Sequence, residues 1–364
     1  MKTKAVIFPE ANRFELTELA LEQPGPADIV VRTLVTAISP GTERWVLRGK
    51  HIGTRFPCVP GYHRIGVVEQ CGAQAANFEP GDVVYGFANR WTDDVVSMWG
   101  AHVGMSTGDW REYQLVATAM PNRLELETMV FTMLAAVATR GIRFCDVRAG
   151  QRVLIVGAGF LGLCAAQLAT LAGAEPVLLE LDDKRIALAG KLGLSALRSD
   201  DEQLAEQLKA TAPAGFDTLY DTVGHAPTTD KLVPQIKRQG TILLQAQYFD
   251  KERCAIDLDQ IKVREITMKT TCGTDDNDWI ETITNIRNRR LKIAPLITHR
   301  FAAANALEGY ELLHNGTPFN LGIVFDWDLG AAFGRSQSRK SEVGNRKSRV
   351  FSENGDSDEE GAVR

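Results

Sequence analysis

The chain has 364 residues and only six cysteines (Cys58, Cys71, Cys145, Cys164, Cys254 and Cys272), none spaced as C-x-x-C. That scatter excludes a disulfide framework and the paired-cysteine metal and redox motifs. There is no surplus of positive charge either: 41 Lys and Arg stand against 46 Asp and Glu, for a net charge of −5. A surface able to neutralise a run of phosphates is therefore not expected, and nucleic acid is not an expected partner. The opening MKTKAVIFPEANRF lacks the apolar stretch of a secretory signal, so the thiols are expected to be reduced and the location cytoplasmic. Only one run, residues 153–179, is long and nearly free of charge. Its glycines, together with Glu175 and Pro176, cut it into strand, turn, helix and strand, and no membrane span is expected.

What is present is the composition of an ordinary globular protein, 44% hydrophobic and 24% charged, with length enough for two cores. Short β-branched runs (KAVIF, DIVVRTLV, IGVVEQ, DVVYGF, REYQLVA) separated by Pro and Gly turns predict a β-rich unit over residues 1–125. From residue 126 the pattern changes to Ala-rich helix, then to helices alternating with the apolar strands RVLIV, EPVLLEL, FDTLYDTV and GTILLQA. This predicts a doubly wound parallel sheet over residues 126–271, and hence an α/β fold. DDNDWIETITNIRNRRLKI reads as one amphipathic helix. A strand, helix and strand then return the chain to the first unit within residues 272–328. Residues 329–364 lose branched and aromatic side chains and read as a disordered tail, basic and then acidic.

The strongest motif is Gly157, Gly159 and Gly162 in VGAGFLGL, a G-x-G-x-x-G between an apolar strand and a small-residue helix. Gly157 permits the tight turn, Gly159 lets a pyrophosphate approach the backbone, and Gly162 lets helix and strand pack closely. Phe160 and Leu161 begin the helix whose positive end faces the phosphates. Glu180 ends the second strand, about twenty residues on, where a carboxylate accepts hydrogen bonds from ribose hydroxyls and repels a 2′-phosphate. NAD is the expected cofactor. Lys184 and Arg185 are the opposing signal for NADP and are read as a solvated helix face. Thr222, Val223 and Gln245 are expected at the carboxyl edge of the sheet, against the cofactor.

Together with GYHRIGVVEQCG, DDKRIALAGKLG and FDTLYDTVG, these segments resemble the medium-chain dehydrogenase/reductase superfamily over about residues 4–328. AISPGTERWVLRGKH, FPCVPGYHRIGVVEQ and the C-terminal LITHRFAAANALEGY are most similar to its 3-hydroxyethyl bacteriochlorophyllide dehydrogenase branch, which oxidises a secondary alcohol on a tetrapyrrole. The resemblance implies a chaperonin-10-like β-rich catalytic domain, a Rossmann domain inserted in it, an active-site cleft between them and a homodimer. It also marks a departure. Zinc-dependent relatives place ligands where this chain has Pro40, Tyr62 and Ala135 or Ala136, and the four-cysteine structural loop is absent between Asn89 and Trp110. Cys58, His63, Cys71 and Glu43 have no spacing that makes a substitute site, so no metal is expected.

Without a metal, a protein group must manage the proton on the alcohol or carbonyl oxygen. The candidates on the cleft segments are Ser39, Thr42, Glu43, His51, Tyr62 and His63, with catalytic roles expected for Thr42, Glu43, Tyr62 and His63. By the resemblance, Thr42 holds the place of the proton-relaying hydroxyl and Tyr62 that of a zinc ligand. His63 is expected to titrate near neutrality and to serve as general acid/base if it faces the cleft. Glu43 has a competing role as an ion-pair partner of Arg44 or Arg64, Tyr62 as a space filler, and His225 is read as a loop residue. Phe87, Trp91, Met98, Trp99, Met105 and Trp110 either line a pocket for a flat substrate or pack the loops. The expected function is an NAD-dependent, zinc-independent oxidoreductase that interconverts a secondary alcohol and a ketone on a bulky small-molecule substrate. The rivals are an NADPH-dependent quinone or enoyl reductase and a non-catalytic dinucleotide-binding protein.

Overall fold

A computed structural model describes residues 1–248, 255–316 and 319–329. The expected disordered tail lies outside these residues, apart from Leu329.

Two large sheets carry the fold. One has six parallel strands in the order Ser195–Arg198, Glu175–Glu180, Arg152–Val156, Phe216–Asp221, Ile236–Leu244 and Thr267–Thr270. Numbered along the chain this is 3-2-1-4-5-6, the order in which the strand sequence reverses beside the first strand and leaves a crevice at the carboxyl ends. Leu154, Val156, Val177, Leu179, Phe216, Leu219 and Ile242 fill one face of the sheet. The Phe160–Leu171 helix is nearly all apolar because the sheet and the Thr132–Phe144 helix enclose it. This accounts for the uncharged run, and among the described residues no helix is long and apolar enough to cross a membrane.

The second sheet has the order Ile297–Ala302, Gly322–Asp326, Asp28–Ala37, His63–Cys71, Val83–Tyr85 and Gln114–Ala117, with Met105–Asp109 also paired to Asp28–Ala37. The strands after residue 272 therefore complete a sheet begun near the N-terminus. One expectation is corrected at the helix before them. It spans Asp276–Arg287 and stops at Asn288, because Arg289 takes a left-handed backbone, φ +57°, which a helix cannot continue through. The Asp275–Asp278 capping box and the Arg140 and Arg143 side chains hold its start.

Candidate active site

The first candidate element is the turn after Val156. Gly157 has φ +95°, and a Cβ on Gly162 would lie 1.9 Å from the Gly157 carbonyl oxygen. Both positions require glycine, for conformation and for approach respectively. Gly159 caps the Phe160–Leu171 helix without a side-chain hydrogen bond, and a Cβ there would meet nothing within 4 Å. The free N–H groups of that helix start thus open onto space, which suits a phosphate. Thr222 donates to the Val156 carbonyl at 2.6 Å, and Val223, 54% exposed, flanks Gly157.

Glu180 is placed at the strand end as expected, but much of its carboxylate is already engaged. It accepts from the N–H of Ala158 at 2.9 Å, Leu181 at 2.7 Å and Asp182 at 3.2 Å, and Arg185 stands 3.6 Å away. Lys184 is exposed; Arg185 is half-buried against Glu180 rather than on a solvated face. Gln245 acts as a strap. Its carbonyl accepts from the Tyr220 hydroxyl and its amide donates to the Val137 carbonyl at 2.7 Å, tying a strand end to the Thr132–Phe144 helix. Phe160 stacks on Phe131 with 4.6 Å between ring centroids, and Leu161 is partly exposed.

The second candidate element is a cavity of about 410 Å³ lined by residues that include His51, Phe87, Asn89, Met98, Trp99 and Glu112. Of the aromatic group expected either to line a pocket or to pack the loops, Phe87, Met98 and Trp99 reach the cavity. Trp91 is buried against Ala5, Val59 and Val103, and Trp110 packs beside Phe78. The Tyr62 ring lies edge-on to Trp99 at 5.5 Å, and Trp99 to His51 at 5.3 Å. The Tyr62 hydroxyl is 2.6 Å from the Ser39 hydroxyl. Burial is the largest influence on this phenol and raises its pKa; Ser39 and Thr42 pull it down and Glu43 adds to the rise.

Glu43 is completely buried beneath this surface. It accepts from the Ser39 N–H at 2.7 Å, the Tyr310 hydroxyl at 2.5 Å and His102 Nε2 at 3.1 Å. His102 Nδ1 meets the Thr36 hydroxyl at 2.9 Å, which also accepts from Trp327 Nε1 at 2.9 Å. Glu43 therefore pairs with neither Arg44 nor Arg64, and it supports Ser39 from behind instead of facing the cavity. Sequence reasoning missed His102 and Tyr310. His102 lies 59 residues from Glu43, and Tyr310 sits on an amphipathic helix where an apolar core position is the ordinary reading.

The expectation for His63 also changes. It is completely buried between Tyr62 and Phe131, and among the described residues neither ring nitrogen has a partner of ordinary hydrogen-bond geometry, the Ala37 backbone exerting only a weak opposing pull. Burial, with His102 nearby, pushes its pKa down to about 3, so it is a neutral wall residue at pH 7 rather than a group titrating near neutrality. His225 caps a helix and bonds to the Thr228 hydroxyl at 2.8 Å.

Two family profiles match separate stretches of the chain. Residues 25–127 match the family profile described as the alcohol dehydrogenase GroES-like domain, and residues 161–288 match the one described as zinc-binding dehydrogenase. The chain belongs to the medium-chain dehydrogenase/reductase superfamily. It is 27% identical to the 2-desacetyl-2-hydroxyethyl bacteriochlorophyllide A dehydrogenase of Cereibacter sphaeroides, across 90% of this chain and 99% of that protein. Among solved structures it resembles an alcohol dehydrogenase from Escherichia coli CFT073 in complex with NADH (TM-score 0.77, 16% identity, 89% and 99% of the two chains). It also resembles a protein of Sinorhizobium meliloti 1021 described as a zinc-binding dehydrogenase and bound to NADP (TM-score 0.76, 20% identity, 90% and 99%).

Among the described residues, the positions where the resemblance expects zinc ligands do not fit the metal. Pro40 offers no donor, Tyr62 only a protonated phenol, and Ala135 and Ala136 are buried in the Thr132–Phe144 helix. Cys58 is buried in the core with Phe8 and Val46, its thiol pushed up to about 12, while Cys71 donates to the Phe78 carbonyl. Among the described residues no three His, Cys, Asp or Glu side chains are grouped to hold a metal ion. The turn at Gly157–Gly162, by contrast, fits a dinucleotide.

Proposed function

We infer that this medium-chain dehydrogenase interconverts a bulky secondary alcohol and its ketone with NAD, without zinc, and that Tyr62 manages the proton. The observation that carries this reading is the Tyr62 hydroxyl. It sits 2.6 Å from Ser39, in contact with the cavity residue Trp99, where zinc-dependent relatives place a ligand. The bound nicotinamide supplies the hydride acceptor or donor. The chain's own residues do the rest. The N–H groups after Gly159 would receive the pyrophosphate, and Glu180, at the end of the second strand, would meet the ribose and favour NAD over NADP.

In the reducing direction a phenol held protonated by burial would donate its proton to the ketone oxygen. Tyr62 regains its proton through the Ser39 hydroxyl, with Thr42 alongside. In the oxidising direction the same path runs in reverse. Glu43 holds the Ser39 N–H and so the start of that path. His51, Phe87 and Trp99 give the cavity aromatic walls that suit a broad planar substrate. The hydroxyethyl group and large ring in the name of the Cereibacter relative are chemistry of this kind. Arg185 beside Glu180 favours a second reading, NADPH-dependent reduction of quinones or enones.

Among the described residues the strand Thr267–Thr270 ends the parallel sheet, paired with Ile236–Leu244 alone, and offers the edge on which a homodimer would extend the sheet. The five described cysteines are free, which suits a reducing cytoplasm.

The test is a spectrophotometric assay on metal-analysed protein, comparing NAD reduction by secondary alcohols, including a hydroxyethyl tetrapyrrole, with NADPH oxidation by quinones and enones. NAD reduction by zinc-free protein is expected. Tyr62→Phe is expected to lower turnover about a hundredfold or more while NADH binding, followed by fluorescence, stays unchanged. Preference for NADPH and enones would establish the second reading, and full turnover by Tyr62→Phe would remove Tyr62 from the mechanism.

A further inference from the structure

Arg64 is completely buried, yet no carboxylate is bonded to it among the described residues. Its guanidinium instead forks onto neutral oxygens: the Gly86 carbonyl at 2.7 Å, the Ala88 carbonyl at 3.0 Å, the Tyr113 hydroxyl at 3.1 Å and the Asn89 side-chain oxygen at 3.1 Å. Three of these belong to the segment that lines the cavity. Burying a cation in this way is costly, and a core of the same volume could be made from apolar side chains. The arrangement is understandable if the planar fork fixes the segment's geometry, which an apolar side chain cannot do.

The fork continues through Asn89. With its oxygen held by Arg64, the Asn89 amide nitrogen points the other way and donates to the Phe87 carbonyl at 2.8 Å and to the Gly100 carbonyl. Gly100 has φ +76°, and a Cβ there would come 2.9 Å from that amide nitrogen. The residue before it, Trp99, has φ +68°, a left-handed backbone that is unfavourable for a bulky side chain and persists only where its surroundings enforce it. Trp99 is also the ring that touches both Tyr62 and His51 and lines the cavity.

We propose that Arg64 and Asn89 form a clamp that holds Trp99 in its left-handed backbone and so sets which alcohols fit the cavity. Arg64 fixes the direction of the Asn89 amide, the amide holds the Gly100 carbonyl, and that anchor keeps the indole edge-on to Tyr62. Both are positioning residues: they shape the wall that a ring-bearing substrate must lie against, while the proton stays with Tyr62. The substrate part of this inference rests on the secondary-alcohol reading above; the clamp does not.

Asn89→Asp and Asn89→Ala test it together. Asn89→Asp keeps the oxygen that Arg64 holds, and with it the segment's main anchor, but removes the donor to the Gly100 and Phe87 carbonyls. Protein carrying 5-fluorotryptophan would be followed by fluorine NMR, with the Trp99 resonance assigned from Trp99→Phe. The Trp99 resonance is expected to shift or split in both variants. For a hydroxyethyl tetrapyrrole KM is expected to rise about tenfold or more, with kcat changing much less, so that the preference over 2-butanol drops. An unmoved Trp99 resonance in both variants, or an unchanged preference for the ring-bearing alcohol despite a moved one, would overturn the clamp. Wild-type protein inactive on every alcohol would instead count against the proposed function and leave the resonance to decide the clamp.

Discussion

At the Gly157–Gly162 turn the functional surface is backbone, and side chains have been removed to expose it. Along the wall from Tyr62 to Trp99 the surface is side chain, and buried polar partners drawn from distant segments hold each piece. Gly162 needs only a missing Cβ, since one would lie 1.9 Å from the Gly157 carbonyl oxygen. Ser39, by contrast, is backed by Glu43, which is backed by His102 and Tyr310, and His102 by Thr36. The first construction fails by collision and the second by loss of a partner. The two failures have different sizes and different signatures.

The largest effect on stability is expected from the side-chain construction. Glu43→Ala leaves the Tyr310 hydroxyl, His102 Nε2 and the Ser39 N–H without their acceptor in a dry interior, and should lower unfolding stability by about 3–5 kcal/mol in urea titration. A loss below about 1 kcal/mol would mean the network relaxes or hydrates, and the contrast would dissolve.

The glycines come next and divide. Gly162→Ala should cost about 1–3 kcal/mol, because helix and turn must separate to admit the methyl group. Gly159→Ala, with open space in front of it, should leave the melting temperature of the free protein in place and weaken NADH binding in a fluorescence titration. Equal effects of the two on stability would show that the turn is not preformed as described.

The smallest effect is a slope. His63 ordinarily titrates near 6.5, but burial holds it near 3 in the folded chain. Between those values the unfolded chain binds a proton that the folded chain does not, so stability falls as pH is lowered through this window, by up to about 1.4 kcal/mol per pH unit from this group. His63→Leu should flatten the difference in stability between pH 6.5 and pH 5 relative to the parent protein. Identical slopes would place water or a partner on the imidazole.

The same contrast decides what could be read from sequence. The parallel sheet and its turn were legible because their signals are local: apolar strands followed by small residues at fixed spacing, and an acid at the next strand end. Glu180 was found that way, although its bonds to the Ala158, Leu181 and Asp182 N–H groups carry no pattern of their own. The cleft wall was legible only as a collection of candidates. Tyr62 stands out through the family resemblance, but the partner that matters most to Glu43 is a tyrosine on a helix near the other end of the chain, whose hydroxyl approaches to 2.5 Å. Nothing in AHVG separates His102 from an ordinary loop residue. The aromatic group between Phe87 and Trp110 divides between cavity and core according to which way each loop turns, and the one visible hint for Trp99 is the glycine after it. His63 was misjudged because its residue type suggests titration, whereas its burial is a property of the assembled sheet.

Phe131, at the start of the Thr132–Phe144 helix, lies against Phe160 on one side and His63 on the other, with ring centroids 4.6 Å and 5.9 Å away. One phenyl ring is therefore a shared bearing: it seats the helix proposed to receive the phosphates and covers the imidazole with the same atoms. Wear at that bearing, a smaller side chain for instance, would be felt at once in the grip on the cofactor and in the cover over the histidine, two properties that no bond in the structure joins directly.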